Sequence, residues 1–228
     1  MPRRRPASYL HTQADLNRAI RTLARRDPRL RDILAITGMP PLRRRDAGFA
    51  GLARIVVGQM LSTASAEAIW ERVRNAHDPF HHDTVRHTSA LRLRRLGLSR
   101  AKAKTLLGIA KEIRAERLDL ESLRTRSADD AHSILTNLPG VGPWTADVYL
   151  LFCLGHSDAW PAGDVALQSA VQRGLALESR PTTKQMIALA EPWRPLRGAA
   201  AHLWWAYYRA NRTTPKRAGL QARSRQPA

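Results

Sequence analysis

The chain has 228 residues, 43% of them hydrophobic, enough for one cored domain or two small intimate ones. Its 38 Lys plus Arg against 19 Asp plus Glu leave a formal net charge of +19, which argues against an ordinary metabolic enzyme and for a polyanionic partner. One cysteine, Cys153, excludes an intramolecular disulfide, a four-cysteine iron–sulfur cluster and a cysteine zinc cage.

Residues 1–8 are Arg- and Pro-rich with no apolar stretch behind them, so they read as a basic tail and not a secretion signal. Thr12 to Arg26 opens with a capping box, Thr12 and Asp15, and sets Leu16, Ile20 and Leu23 on one helical face. Phe49, Leu52, Ile55, Val56 and Met60 make a second stripe, which Ile69 and Val73 continue. Ser99 starts a helix with Leu106, Leu107, Ile109, Ala110 and Ile113 inward. Ser127 and Asp130 form a further capping box, ahead of Ile134 and Leu135. The longest apolar run, Val148 to Leu154, is far short of the ~20 residues that span a bilayer, so no membrane partner is expected. Residues 212–228 form a second basic tail. No Asn-Gly or Asp-Gly hairpin lies between alternating runs, so the expectation is all-α, about ten helices without strands.

Of the basic residues, 33 are Arg and 5 are Lys. Genomic base composition accounts for arginine replacing lysine, but not for the twofold excess of basic over acidic side chains. Nucleic acid is therefore the leading partner. An anionic membrane is second, without a basic amphipathic helix to support it.

The most informative string is Leu138-Pro-Gly-Val-Gly-Pro-Trp-Thr145, between two helical patterns. Its glycines permit backbone conformations closed to other residues and a close approach to a ligand. Pro143 suits a first helical turn, and amides near Gly140 and Gly142 suit a phosphate. A Gly-x-Gly alone is an ordinary turn; the whole string in so basic a chain is more specific.

From about Asp27 to Arg209 the chain resembles the helix-hairpin-helix superfamily of DNA glycosylases, 3-methyladenine DNA glycosylase II type. Four segments carry the resemblance: Phe49 to Ser62, ending Gly-Gln-Met-Leu-Ser; Gly97 to Lys104; the hairpin string; and Trp160-Pro-Ala-Gly-Asp-Val-Ala-Leu-Gln168. The resemblance implies a two-lobed helical bundle over 9–211, with the hairpin at 127–153, a catalytic loop at 156–168 and a cleft between the lobes. It implies a monomer acting on double-stranded DNA with damaged bases, cytoplasmic and nucleoid-associated in a bacterium, nuclear in a eukaryote. The length leaves no room for the N-terminal β-rich domain of some relatives.

By the same resemblance Asp164 is the catalytic carboxylate, although after Gly163 its ordinary role is an N-cap. Asp147 and Asp158 are nearby competitors, the former expected to face solvent or pair with an arginine. Trp144, Trp204, Tyr149 and Trp160 are the expected base pocket, whereas an isolated tryptophan is usually core; Trp205, Tyr207 and Tyr208 read as core or surface. Gln59 and Met60 form the wedge that replaces the flipped nucleotide. Gly140, Val141, Gly142 and Thr145 grip phosphate. The carbonyls of Thr136, Leu138 and Val141 match a Na+ or K+ site; no other cofactor is expected. His156 and His202 show no metal or triad spacing. Trp144 stands where lyase members carry a nucleophilic lysine, so the expected enzyme is monofunctional.

Glycosidic hydrolysis usually takes two carboxyl groups, but an alkylated purine leaves already charged, so one can suffice. Indole walls also favour a cationic ring. The expected activity is therefore release of 3-methyladenine and 7-methylguanine in base excision repair. The alternatives are a non-catalytic hairpin protein that only binds DNA, or a glycosylase for uracil, hypoxanthine or an oxidised base.

Overall fold

A computed structural model describes residues 9–213; the tail at 1–8 and residues 214–228 lie outside the described residues. Among the described residues twelve α-helices follow one another. They are α1 (Gln13–Arg26), α2 (Pro28–Thr37), α3 (Gly48–Gly58), α4 (Thr63–Asn75), α5 (His82–Arg86) and α6 (Ala90–Arg95). Then come α7 (Arg100–Arg114), α8 (Ala128–Thr136), α9 (Pro143–Tyr149), α10 (Val165–Gly174), α11 (Thr183–Ala190) and α12 (Arg197–Thr213). Among the described residues there is no strand, only an isolated bridge between Tyr9 and His156. The all-α expectation holds. The extra helices include α5 and α6, five and six residues long, too short to reveal a period. No helix of the described residues is long and apolar enough to cross a membrane. Helix α12 runs to Thr213, past the expected start of the C-terminal tail at 212.

Local chemistry sets the helix starts. Thr12 and Asp15 form the reciprocal box on α1, Ser99 accepts from the Lys102 N–H on α7, and Ser127 accepts from the Asp130 N–H on α8. Asp27 caps α2 through the Arg29 N–H, and the Arg29 guanidinium beside it holds its carboxyl below the usual range. Its Oδ2 also accepts from Trp193 Nε1 at 2.7 Å, tying the first helices to the end of the chain.

Helices α3 to α9 make one lobe; α1 and α2 return to pack with α10 and α12 in the other. A Cβ at Gly174 would lie 2.4 Å from Trp204, so only glycine lets α10 close on α12 there. Helix α9 widens into a π-helical segment, Leu150–Leu154, whose five side chains are all buried. Trp144 of α9 lines one cavity with the turn after α3 and another with the loop that leads into α10.

Candidate active site

Asp164 is the N-cap of α10, and its half-buried carboxylate is held from three directions. Oδ1 accepts from the Leu167 N–H at 2.9 Å and from Trp205 Nε1 at 3.1 Å. Oδ2 accepts from Trp144 Nε1 at 2.9 Å. A carboxylate has about four acceptor positions, so about one stays open. The preceding loop is pinned by Gln168 Nε2 on the Ala162 carbonyl at 3.0 Å. Capping and an aimed carboxylate thus coexist.

The aromatic expectations are only partly met. Trp144 is half-buried and lines two cavities, of about 250 and 560 Å³, with its indole edge on Asp164. Trp160 also lines the larger one, but its Nε1 donates to the Met186 carbonyl at 3.0 Å and its ring meets Trp193 edge-on. Trp204 is core, not pocket: fully buried, it packs against Trp193 and the backbone of Gly174. Tyr149 is core too, its hydroxyl accepting from the Gly48 N–H at 3.1 Å and anchoring the start of α3. The missed residue is Trp205, stacked on Phe152 at 5.3 Å with its N–H on Asp164. Adjacent positions on a helix point about 100° apart. Since α12 is buried on nearly every side from Ala199 to Trp205, periodicity does not say which indole meets the cleft.

Across the cleft, the turn after α3 projects Met60, fully exposed with left-handed backbone (φ +56°), and partly exposed Leu61. Such a conformation in a non-glycine residue costs of order 1–3 kcal/mol and persists only where the surroundings impose it. Here they do. Lys102 Nζ donates to the carbonyls of Val57 (2.8 Å) and Gln59 (2.7 Å). Gln59 is a strut and not a free wedge: its Nε2 donates to Gly140 O at 3.2 Å and Thr145 Oγ1 at 2.8 Å.

In the hairpin between α8 and α9, Gly140 has φ +84°, and an added Cβ would strike the Thr105 side chain. Gly142 is the exposed N-cap of α9, without a side-chain cap. The side chains of Val141 and Thr145 do not present phosphate contacts. The Val141 N–H is used by Leu138 O at 3.0 Å and its side chain is buried; the Thr145 hydroxyl is buried against Gln59.

Asp147 is a further carboxyl, lining the larger cavity with Asp129 and Asp158. Asp147 faces neither solvent nor a contacting arginine. Its side chain is 14% exposed, with His132 Nε2 3.9 Å away and the Trp160 backbone N–H as a donor. Burial pushes its pKa up to about 8, only partly opposed by the Arg197 charge. Asp158 is committed elsewhere, to Arg194 at 2.6 Å and to Arg197 at 2.8 Å. His156 and His202 are core residues bonded to the Leu123 and Gly198 carbonyls, and burial lowers both pKa values. Burial pushes the Cys153 thiol up to about 12, so it supplies no thiolate near neutrality.

Comparison with known proteins adds to this geometry. The "DNA-3-methyladenine glycosylase 1" of Schizosaccharomyces pombe is 30% identical over 179 residues, 73% of this chain and 75% of that protein. The chain spans less than half the length of two Bacillus subtilis relatives, 43% and 36%. The second of these, "DNA-3-methyladenine glycosylase", is 30% identical over 108 residues, 47% of this chain. Among solved structures, a 3-methyladenine DNA glycosylase of S. pombe in complex with abasic DNA superposes with a TM-score of 0.75 at 25% identity, covering 82% of this chain and 95% of that one. Residues 53–195 match the family described as "HhH-GPD superfamily base excision DNA repair protein". Hairpin, aimed Asp164 and family match agree: the chain belongs to the HhH-GPD superfamily of base excision DNA repair proteins.

Proposed function

We propose that this protein is a monofunctional DNA glycosylase that hydrolyses the N-glycosidic bond of alkylated purines extruded from duplex DNA. The observation that carries this is the Asp164 carboxylate, fixed by two indole N–H groups and a helix N-terminus with acceptor capacity to spare. In the reaction the C1′–N bond breaks and its electron pair leaves with the base. Asp164 faces the positive charge that develops on the sugar, and water adds to C1′ with loss of a proton. A base that is cationic beforehand needs no acid, which suits a site centred on one ionised carboxylate. Extrusion costs a few kcal/mol, offset by pocket contacts and by exposed Met60 entering the stack.

The net charge of +19 and the exposed hairpin glycines support duplex DNA as the partner. A Na+ or K+ at the Thr136, Leu138 and Val141 carbonyls belongs to the same reading; neutral carbonyls suit a monovalent ion, and Leu138 O keeps a lone pair beside the Val141 N–H. Absence of lyase chemistry is supported by Trp144 at the lysine position and by Lys102, whose ammonium is engaged by two carbonyls. The test is base release from methylated duplex DNA, followed by borohydride treatment. Free methylpurine, an intact abasic strand and no trapped adduct are expected. DNA binding without release would favour a non-catalytic hairpin protein.

A further inference from the structure

Three consecutive arginines, Arg43 to Arg45, precede α3, and the last two behave differently. Arg44 spends its guanidinium on the carbonyls of Leu10 (3.5 Å) and Cys153 (3.2 Å). Arg45 is anchored by its backbone N–H on Phe152 O at 2.9 Å, with Cζ 5.8 Å from the Phe152 ring centre. Among the described residues its guanidinium has no hydrogen-bond acceptor and no carboxylate within salt-bridge distance. It lines the 250 Å³ cavity with Arg54, Met60 and Trp144, and the charge of Arg54 is already met by Glu67 at 2.6 Å.

Two routes connect Arg45 to the candidate catalytic centre. It shares the cavity with Trp144, whose N–H holds Asp164 Oδ2. Its floor, Phe152, stacks on Trp205, whose N–H holds Asp164 Oδ1. Backbone phosphates follow the rim of such a cleft; a guanidinium over an aromatic floor that itself stacks on Trp205 is placed to reach the base. Arg45 is exposed, so its guanidinium is open to an incoming acceptor; partial burial and the Arg54 charge lower its pKa, opposed by Cys153 and Glu67.

We propose that Arg45 is a specificity-determining residue that donates to a carbonyl oxygen of the extruded base, selecting purines with an O6 carbonyl over purines with a C6 amino group. The inference rests on the excision reading above. A guanidinium offers five donors and no acceptor, so a carbonyl at C6 satisfies it, whereas an amino group sets donor against donor. Repulsion of a cationic ring is common to 7-methylguanine and 3-methyladenine and cancels between them. The O6 carbonyl therefore favours 7-methylguanine, and neutral hypoxanthine gains the same contact without the repulsion.

Duplex DNA treated with dimethyl sulfate carries 7-methylguanine and 3-methyladenine together, so both release rates are read in one reaction after subtracting spontaneous loss. In Arg45→Ala the ratio of 7-methylguanine to 3-methyladenine release should fall about tenfold, the discrimination of one good guanidinium–base contact. Arg45→Lys should restore part of the ratio, and hypoxanthine release in Arg45→Ala should fall alongside 7-methylguanine. The ratio is independent of folded fraction and of overall DNA affinity. An unchanged ratio overturns the inference, whether both rates fall, as for a phosphate contact, or neither does. If the unmodified protein binds DNA but releases neither base, the excision reading itself fails, which is a distinguishable result.

Discussion

Trp205 donates its indole N–H to Asp164 Oδ1 across 3.1 Å, linking the last helix to the start of α10. A hydrogen bond to a charged acceptor contributes about 1.5–3 kcal/mol. Trp205→Phe removes the donor and keeps a ring to stack on Phe152. Single-turnover base release should fall at least about tenfold, while the melting transition stays cooperative. Release at the unmodified rate would mean that this contact does not serve the reaction.

Asp164→Asn retains an oxygen for the Leu167 N–H and so preserves the cap. It removes the charge that faces the sugar. Release should drop by about 100-fold or more, with duplex affinity unchanged or raised through lost carboxylate–phosphate repulsion. Rate and affinity measured on one preparation check this; a variant that turns over normally refutes the assignment.

The hairpin glycines should separate fold from binding. Gly140→Ala forces a side chain onto Thr105 at φ +84° and should destabilise the protein by about 1–3 kcal/mol in denaturant melts. A Cβ at Gly142 meets nothing within 4 Å, so Gly142→Ala should fold normally. Any loss of duplex affinity in that variant should be the same with and without a lesion, because phosphate contacts carry no base information. A loss confined to lesion duplexes contradicts the phosphate role.

Asp147 gives a pH dependence with a definite sign. In the unfolded chain it titrates near ~3.9; folded, it keeps its proton until about pH 8. Between these values the folded state binds the extra proton, so its contribution to stability falls as pH rises from about 4 to 8. Asp147→Asn abolishes the titration and keeps an acceptor for the Trp160 N–H. Its stability, from urea melts at several pH values, should fall less than that of the unmodified protein across this window. Parallel pH profiles would show that Asp147 does not titrate in this way.

Much of this molecule is legible locally. Thr12, Ser99 and Ser127 cap their helices as spacing predicts, because a cap needs only residues three apart. Asp164 stands out because its motif is contiguous. What sequence misses depends on distant partners. Trp204 and Trp205 differ by what packs on them: Gly174 and Trp193 for one, Phe152 and Asp164 for the other. Gln59 looks like a wedge beside Met60 until Thr145, 86 positions later, takes its amide. The burial of Asp147 is set by the loop carrying Trp160, and nothing in its own neighbours announces it.

The π-helical turn at Leu150–Leu154 acts as a phase shift. Each residue advances an α-helix by about 100°, and the wider turn absorbs one extra residue. Upstream of it, Trp144 presents its indole edge to Asp164; within it, Phe152 supports both Trp205 and Arg45. With every side chain in the segment buried, an apolar exchange there disturbs packing but leaves this angular offset intact. Loss of a single residue from the same stretch would restore regular winding and turn one set of contacts away from the other. Tolerance here is therefore governed by residue count more than by residue identity.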